Sequence, residues 1–143
     1  MELDKKKRTI AYRTLGCAIK VYKTLGPGLL EAVYHKAMLI ELQKQGLKVE
    51  SEVPVDVFYD GIDLNLGYRI DLLVEDNIVL ELKSVTSLER VHYKQIQNYL
   101  HLANKPFGYL INFNVDDFCL GIGFDRVRNF QYDGPIPENL WTE

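Results

Sequence analysis

The stretch YRIDLLVEDNIVLELK, residues 68–83, carries the strongest structural signal in the chain. It predicts a β-hairpin with a first strand over residues 68–74, a turn over residues 75–77 and a returning strand over residues 78–85. One face of this hairpin is apolar and suited to cover a core. With a three-residue loop, that face consists of three facing pairs: Val74 and Ile78, Leu72 and Leu80, Ile70 and Leu82.

The same register sets Asp71 opposite Glu81, and Arg69 opposite Lys83, on the other face. Two carboxylates at that separation, roughly 5 Å between Cβ atoms, repel each other and destabilise the hairpin unless something compensates. Divalent cations are the usual compensation, because hard ions prefer carboxylate oxygens. A slip by one residue would bury charges among the leucines, so the apolar pattern favours this pairing. The hairpin therefore predicts a metal site at Asp71 and Glu81.

Size and composition favour one domain over residues 1–143, with the tail from about residue 126 poorly determined by the pattern. The 143 residues, 47% of them hydrophobic, suffice for one core. Cys17 and Cys119 match no zinc spacing, which favours reduced core thiols in a cytoplasmic protein. No segment has the length of a membrane span, and the charged first residues do not resemble a signal peptide. The net charge of −3 argues against non-specific coating of nucleic acid, though not against a local phosphate site.

The rest of the chain predicts helices at its start and strands on either side of a later helix. Helical spacing covers residues 5–25 and 29–45, and Gly26-Pro27-Gly28 separates the two. The order ααββββαββ indicates an α/β domain with a mixed sheet. The apolar strand at 107–113, near the C-terminal edge, favours a homodimer. The remaining predicted elements are strands at 47–59 and 62–66, a helix at 88–103 capped from Ser84 to Ser87, and strands at 107–113 and 118–124.

Three motifs resemble those of one nuclease superfamily. Asp71, followed ten residues later by Glu81-Leu82-Lys83, resembles the PD-(D/E)xK core, with Ile70 in place of a proline that is often absent in the superfamily. The segment QIQNY, residues 95–99, resembles the QxxxY element of the RecB-like branch. The segment GLLEAVY, residues 28–34, matches the signature of the small GxxExxY proteins in the same superfamily. The resemblance covers about residues 26–112 and implies a restriction-endonuclease-like core.

This resemblance implies metal-dependent hydrolysis of phosphodiester bonds in nucleic acid, with DNA as the expected substrate and no membrane partner. Asp71 and Glu81 would ligate Mg²⁺ or Mn²⁺ together with the Leu82 carbonyl. Lys83 would offset the negative charge that develops at phosphorus. Glu31 would be a third acid that reaches the metal directly or through water.

Some of these residues also have ordinary structural explanations. Glu31 lies in the first turn of a predicted helix, where the helix dipole alone favours a carboxylate. Gly28 would let the backbone turn sharply enough to bring Glu31 inward, and Tyr34 is either its support or a core aromatic. Gln95 would hydrogen-bond within the site, and Tyr99, on the same helix face, is as well suited to packing. The three histidines have no predicted role in the site.

Two further hypotheses remain beside an autonomous nuclease. One is a catalytically silent nucleic-acid- or partner-binding protein that retains the nuclease fold, which small size and net acidity favour. The other is a nuclease subunit that a partner or self-association brings to its substrate. The intact set of Asp71, Glu81 and Lys83 favours an enzyme, because a site without catalysis has no need for two facing carboxylates.

Overall fold

The computed structural model of the protein describes residues 2–141, and the side chains from residue 4 onward. None of the helices in this described part combines the length and apolar character needed to cross a membrane. The helices are α1 (Glu2–Lys7), α2 (Ile10–Leu25), α3 (Glu31–Lys44) and α4 (Arg90–Leu102). The strands are β1 (Val49–Val55), β2 (Phe58–Tyr59), β3 (Ile62–Asp63), β4 (Tyr68–Val74), β5 (Ile78–Lys83), β6 (Phe107–Asn112) and β7 (Phe124–Arg128).

Five strands form one mixed sheet in the order β1-β4-β5-β6-β7. All neighbours are antiparallel except β5 and β6, which α4 connects as a crossover. One core lies between the sheet and α2 and α3, and a second core lies between the sheet and α4. The predicted α/β class with a mixed sheet and a restriction-endonuclease-like architecture is confirmed. Strand β6 lies inside the sheet, so the homodimer predicted from it loses that basis.

The hairpin prediction is confirmed for β4 and β5, but the ladder between them is shorter than expected. Leu72 faces Leu80 as predicted, and this is the last paired step before the strands separate. The predicted pair of Ile70 and Leu82 is wrong. Both side chains are fully buried, but Ile70 packs in the core beside α4, whereas Leu82 packs in the core beside α2 and α3.

This difference arises because the side chains of β1 and β4 switch from one face of the sheet to the other partway along both strands. Glu52 has a φ of 56°, a left-handed conformation that interrupts the alternation of a strand. Before it, Val49 packs toward α2 and α3, and after it, Val53 packs toward α4. The β1–β4 ladder pairs Ser51 with Leu72 and Val53 with Ile70, and the step between them is missing. The side chains therefore exchange faces at the level of Asp71.

Two helix starts differ from the predictions. The predicted helix over residues 5–25 is divided, because the Thr9 hydroxyl accepts a hydrogen bond from the Tyr12 N–H and caps a new helix there. Helix α4 is capped by Glu89 and not by a residue between Ser84 and Ser87. The Glu89 N–H donates to Nδ1 of His92 at 2.8 Å, which gives this histidine a capping function.

The strand predicted over residues 118–124 is also wrong. A tight turn occupies that segment, with Gly121 at a φ of 85° and the Gly123 N–H donating to the Cys119 carbonyl at 2.8 Å. The final strand, β7, starts at Phe124. Cys119 is only partly buried in this turn, whereas Cys17 lies in the core, and both are free thiols.

The segment after residue 126 returns to the start of α2. The N–H groups of Ile10 and Ala11 donate to the carbonyls of Asn139 and Leu140 at 2.8 and 2.9 Å. Leu140 is fully buried in the core beside α2 and α3. This return connects the C-terminal segment to the helical layer of the fold.

Candidate active site

Asp71 and Glu81 occupy the gap where β4 and β5 separate. The Leu82 N–H donates to Oδ2 of Asp71 at 2.8 Å, and the Asp71 N–H donates to Oε1 of Glu81 at 3.2 Å. Each carboxylate thus accepts a backbone hydrogen bond that a ladder carbonyl would otherwise accept. The structure brings the two predicted acids together through these side-chain bonds, and not through a continuous ladder.

Burial makes this pair of acids electrostatically costly. Glu81 is 2% exposed. Desolvation, and then the charge of Asp71, raises the pKa of Glu81 from 4.5 to about 8. Desolvation also raises the pKa of Asp71, while the Leu82 N–H and the Lys83 ammonium act in the opposite direction. At neutral pH without a cation, the pair therefore favours a proton on Glu81.

Glu31 lies close enough to interact electrostatically with the acid pair. It is the first residue of α3, and desolvation followed by the charge of Asp71 raises its pKa. Its own charge contributes to the raised pKa of Glu81, and Lys83 opposes both effects. The charges of three carboxylates, from α3, β4 and β5, thus act on one another, and the Lys83 ammonium opposes them.

The turn before α3 explains how Glu31 reaches this position. Gly28 has a φ of 92°, a conformation that glycine adopts without steric cost. The Tyr34 hydroxyl donates to the Gly26 carbonyl at 2.6 Å and accepts from the Leu29 N–H at 3.1 Å. Its fully buried ring stacks on Phe113 with centroids 4.5 Å apart. Tyr34 is a core aromatic that fixes the turn, and so supports Glu31 through the backbone.

A second set of hydrogen bonds fixes the segment after Lys83. The Ser84 hydroxyl donates to the Leu29 carbonyl at 2.6 Å and so joins the end of β5 to the turn before α3. The fully buried Asn112 side chain accepts from the Val85 N–H at 3.1 Å and donates to the Val85 carbonyl at 3.0 Å. These bonds hold the helix that carries Glu31 and the strand that carries Lys83 in a fixed relation.

Tyr99 of α4 lies close enough to the acid pair to interact with its charge, and Gln95 reaches this region through Tyr99. Nε2 of Gln95 donates to the Tyr99 hydroxyl at 3.3 Å, so the partner of this amide is Tyr99. Burial, and further the charges of Glu81 and Asp71, raises the pKa of Tyr99. Tyr99 is 7% exposed and combines packing in the α4 core with proximity to the acids.

Sequence reasoning missed three residues of the cleft beside the acid pair. This cleft, of about 440 Å³, includes Glu31 and Asp71 together with His35, Ser51 and Glu52. Nε2 of His35 lies 2.7 Å from the Ser51 hydroxyl, and the charge of Glu52 adds to the raised pKa of Asp71. The signal for His35 was its position four residues after Glu31, on the same helix face. Ser51 and Glu52 gave no such signal, because their placement depends on the exchange of strand faces.

The oxygen donors of the acid pair fit a hard divalent cation. Within residues 2–141, no three His, Cys, Asp or Glu side chains are close enough to hold a metal by themselves. Asp71 and Glu81 supply two carboxylates, and the Leu82 carbonyl is directed to the same gap as its N–H, since both groups of a strand residue point to one neighbour. A cation bound here would keep several waters, which is the usual behaviour of Mg²⁺.

One comparison with known proteins bears on this geometry. A family model for the PD-(D/E)XK nuclease superfamily matches residues 8–123. The matched segment covers most of the chain and contains the acid pair, Lys83 and α4. Comparisons with curated proteins and with solved structures found no match. The chain therefore belongs to the PD-(D/E)XK nuclease superfamily.

Proposed function

We propose that the protein is a metal-dependent nuclease that hydrolyses phosphodiester bonds of nucleic acid, with DNA as the expected substrate. The observation that carries this proposal is the pair of the half-buried Asp71 and the buried Glu81, joined by backbone hydrogen bonds and close in sequence to Lys83. Two adjacent acids, one with a pKa raised to about 8, are unfavourable for stability and typical of functional sites. Membership of a nuclease superfamily supports the same reaction.

The proposed cation ligands are Asp71, Glu81 and the Leu82 carbonyl, with Glu31 reaching the metal directly or through water. Mg²⁺ or Mn²⁺ would supply Lewis-acid stabilisation and a water of lowered pKa when bound. The four groups come from three elements whose relative positions are fixed by the Tyr34 and Ser84 hydrogen bonds. Such preorganised donors are what electrostatic stabilisation of a transition state requires.

Lys83 would offset the charge that develops on the scissile phosphate. Its ammonium opposes the rise in the pKa of Asp71, Glu81 and Glu31, which is the effect expected of a cation close to this region. Gln95 would act through the Tyr99 hydroxyl, to which it donates, by orienting that group toward the acids.

We further assign the chain to the GxxExxY proteins and to the RecB-like branch. Support comes from the distinct function of each motif residue. Gly28 adopts the left-handed turn, Glu31 lies near the acid pair, and Tyr34 anchors the turn. In the QxxxY element, Gln95 and Tyr99 are joined by a hydrogen bond.

Cleavage assays with labelled single-stranded, duplex and branched DNA and with RNA test this proposal. We expect cleavage with Mg²⁺ or Mn²⁺ and none with EDTA. Asp71→Asn should lower the rate by at least roughly a hundredfold. Asp76→Asn is the matched control, because Asp76 lies in the exposed turn at the other end of the same hairpin.

A wild type with neither Mg²⁺-dependent thermal stabilisation nor cleavage of any substrate would contradict the enzyme. It would favour the catalytically silent binding protein that retains the fold. Equal rates for the Asp71 and Asp76 variants would show instead that cleavage comes from a contaminant or another site.

A further inference from the structure

The segment of residues 56–67, here called the arm, forms a two-stranded hairpin separate from the main sheet. Tyr59 faces Ile62, and the Leu64 N–H donates to the Val57 carbonyl at 2.8 Å, so these four side chains share one face. Tyr59 is 70% exposed, Ile62 65% and Leu64 43%. A two-stranded hairpin is marginal unless its apolar face packs against something. This face therefore lacks a cover within the described residues.

The charge of the surrounding segment restricts what covers it. Residues 49–68 contain five acidic residues and no lysine or arginine, a charge of −5 in a chain of net charge −3. This charge repels nucleic-acid phosphates, and it also repels the same arm of another copy. A positively charged surface with apolar side chains is the complementary occupant. Residues 1–25 have that character, with seven lysines and arginines against two acidic residues.

A cleft on α2 provides such a surface. It has a volume of about 280 Å³ and is lined by Lys7, Arg13 and Lys20 together with Tyr12, a residue that is 44% exposed. Glu41 also lines it and forms an ion pair of 3.1 Å with Lys20. The basic side chains outnumber this acid, so the cleft has a net positive charge.

Gly16 leaves the backbone of α2 uncovered at this cleft. It lies in the interior of α2, where glycine weakens a helix relative to alanine. A Cβ added to Gly16 would meet nothing within 4 Å, so no described part of the chain excludes a side chain at this position. The cleft therefore has room at Gly16 for a side chain that approaches from outside.

We propose that the arm of one copy of the protein docks into the α2 cleft of a second copy. The apolar face with Tyr59 and Ile62 would pack on Tyr12 and the open backbone at Gly16, while the acidic segment meets the basic α2 surface. Reciprocal docking of both arms closes a dimer, and unreciprocated docking gives longer assemblies. The contact uses none of the proposed catalytic residues and is independent of the nuclease activity.

Light scattering after size-exclusion chromatography, and sedimentation equilibrium, measure this association on the full chain. We expect self-association at micromolar concentration that weakens as salt rises, because the contact joins opposite charges. Gly16→Trp fills the cleft and should weaken association by roughly tenfold or more, a change of about 1.4 kcal/mol or more. Gly16→Ala is its control at the same position, since a methyl group leaves the cleft open.

The arm has an equally close control. Ile62→Thr should weaken association, because Ile62 lies on the apolar face of the arm. Val91→Thr should leave association unchanged. Val91 is a matched control, since both residues are β-branched and equally exposed, at 65% and 66%. If Gly16→Trp fails to fold by circular dichroism, Ile62→Thr decides, because it lies outside both cores. A wild type that stays monomeric at high micromolar concentration and low salt overturns the proposal. Association that neither Gly16→Trp nor Ile62→Thr weakens also overturns it.

Discussion

Replacing Glu81 by glutamine should stabilise the metal-free protein, and the gain should grow with pH. The folded state keeps the Glu81 proton up to a pKa of about 8, whereas an unfolded chain releases it near 4.5. Between these values the native state binds more protons than the unfolded state, so stability falls as pH rises. Each pH unit in this interval costs about 1.4 kcal/mol. Glutamine keeps an acceptor for the Asp71 N–H and removes the titration.

The expected difference in unfolding free energy between Glu81→Gln and wild type is near zero at pH 4. It should reach about 3 kcal/mol at pH 7 and about 5 kcal/mol above pH 8, from the pKa of about 8. Urea unfolding followed by circular dichroism, in EDTA and at a series of pH values, measures it. A difference that stays constant from pH 4 to pH 9 would refute the reasoning, because it would show that Glu81 ionises equally in both states.

Three further variants test neighbouring parts of the site. Lys83→Ala should lower the unfolding free energy of the metal-free protein by roughly 1 kcal/mol, since it removes the cation that opposes three acids. It should also abolish cleavage. An unchanged unfolding free energy in urea titration would contradict this prediction. Tyr34→Phe loses its bonds to the Gly26 carbonyl and the Leu29 N–H, and should cost about 1–3 kcal/mol in the same titration. Glu52→Gly should stabilise the folded state by roughly 1 kcal/mol and raise the thermal midpoint, because glycine adopts the φ of 56° without strain. An unchanged or lower midpoint would count against backbone strain at residue 52.

The sequence was sufficient for the hairpin because its signals are local. The alternation of apolar residues and the three-residue turn set the register from Val74 and Ile78 to Leu72 and Leu80, as observed. The helix around Glu31 was predicted within two residues at its N-terminal end, because Gly26-Pro27-Gly28 marks its start. These features depend on neighbours in the chain, and so a single sequence contains them.

The missed features depend on contacts between distant segments. No residue pattern in β1 indicates that Glu52 adopts a left-handed conformation. A prediction that assumes regular alternation therefore places Ile70 on the wrong face of the sheet. The pairing of His35 with Ser51 follows from the packing of α3 against β1. The last strand begins at Phe124 and not at residue 118, because Gly121, with its positive φ, belongs to a turn and not to a strand.

The attachment of the arm to the sheet bears on how this protein could be shortened. Val55 and Tyr68 face each other in the β1–β4 ladder, so the chain leaves the sheet and re-enters it at one point. A two-residue Asn-Gly turn would span that gap with little loop-closure cost, in place of residues 56–67. The segment is thus an insertion in a continuous hairpin. A shortened chain would retain the acid pair and lose the arm, so one deletion would separate the proposed cleavage from the proposed self-association.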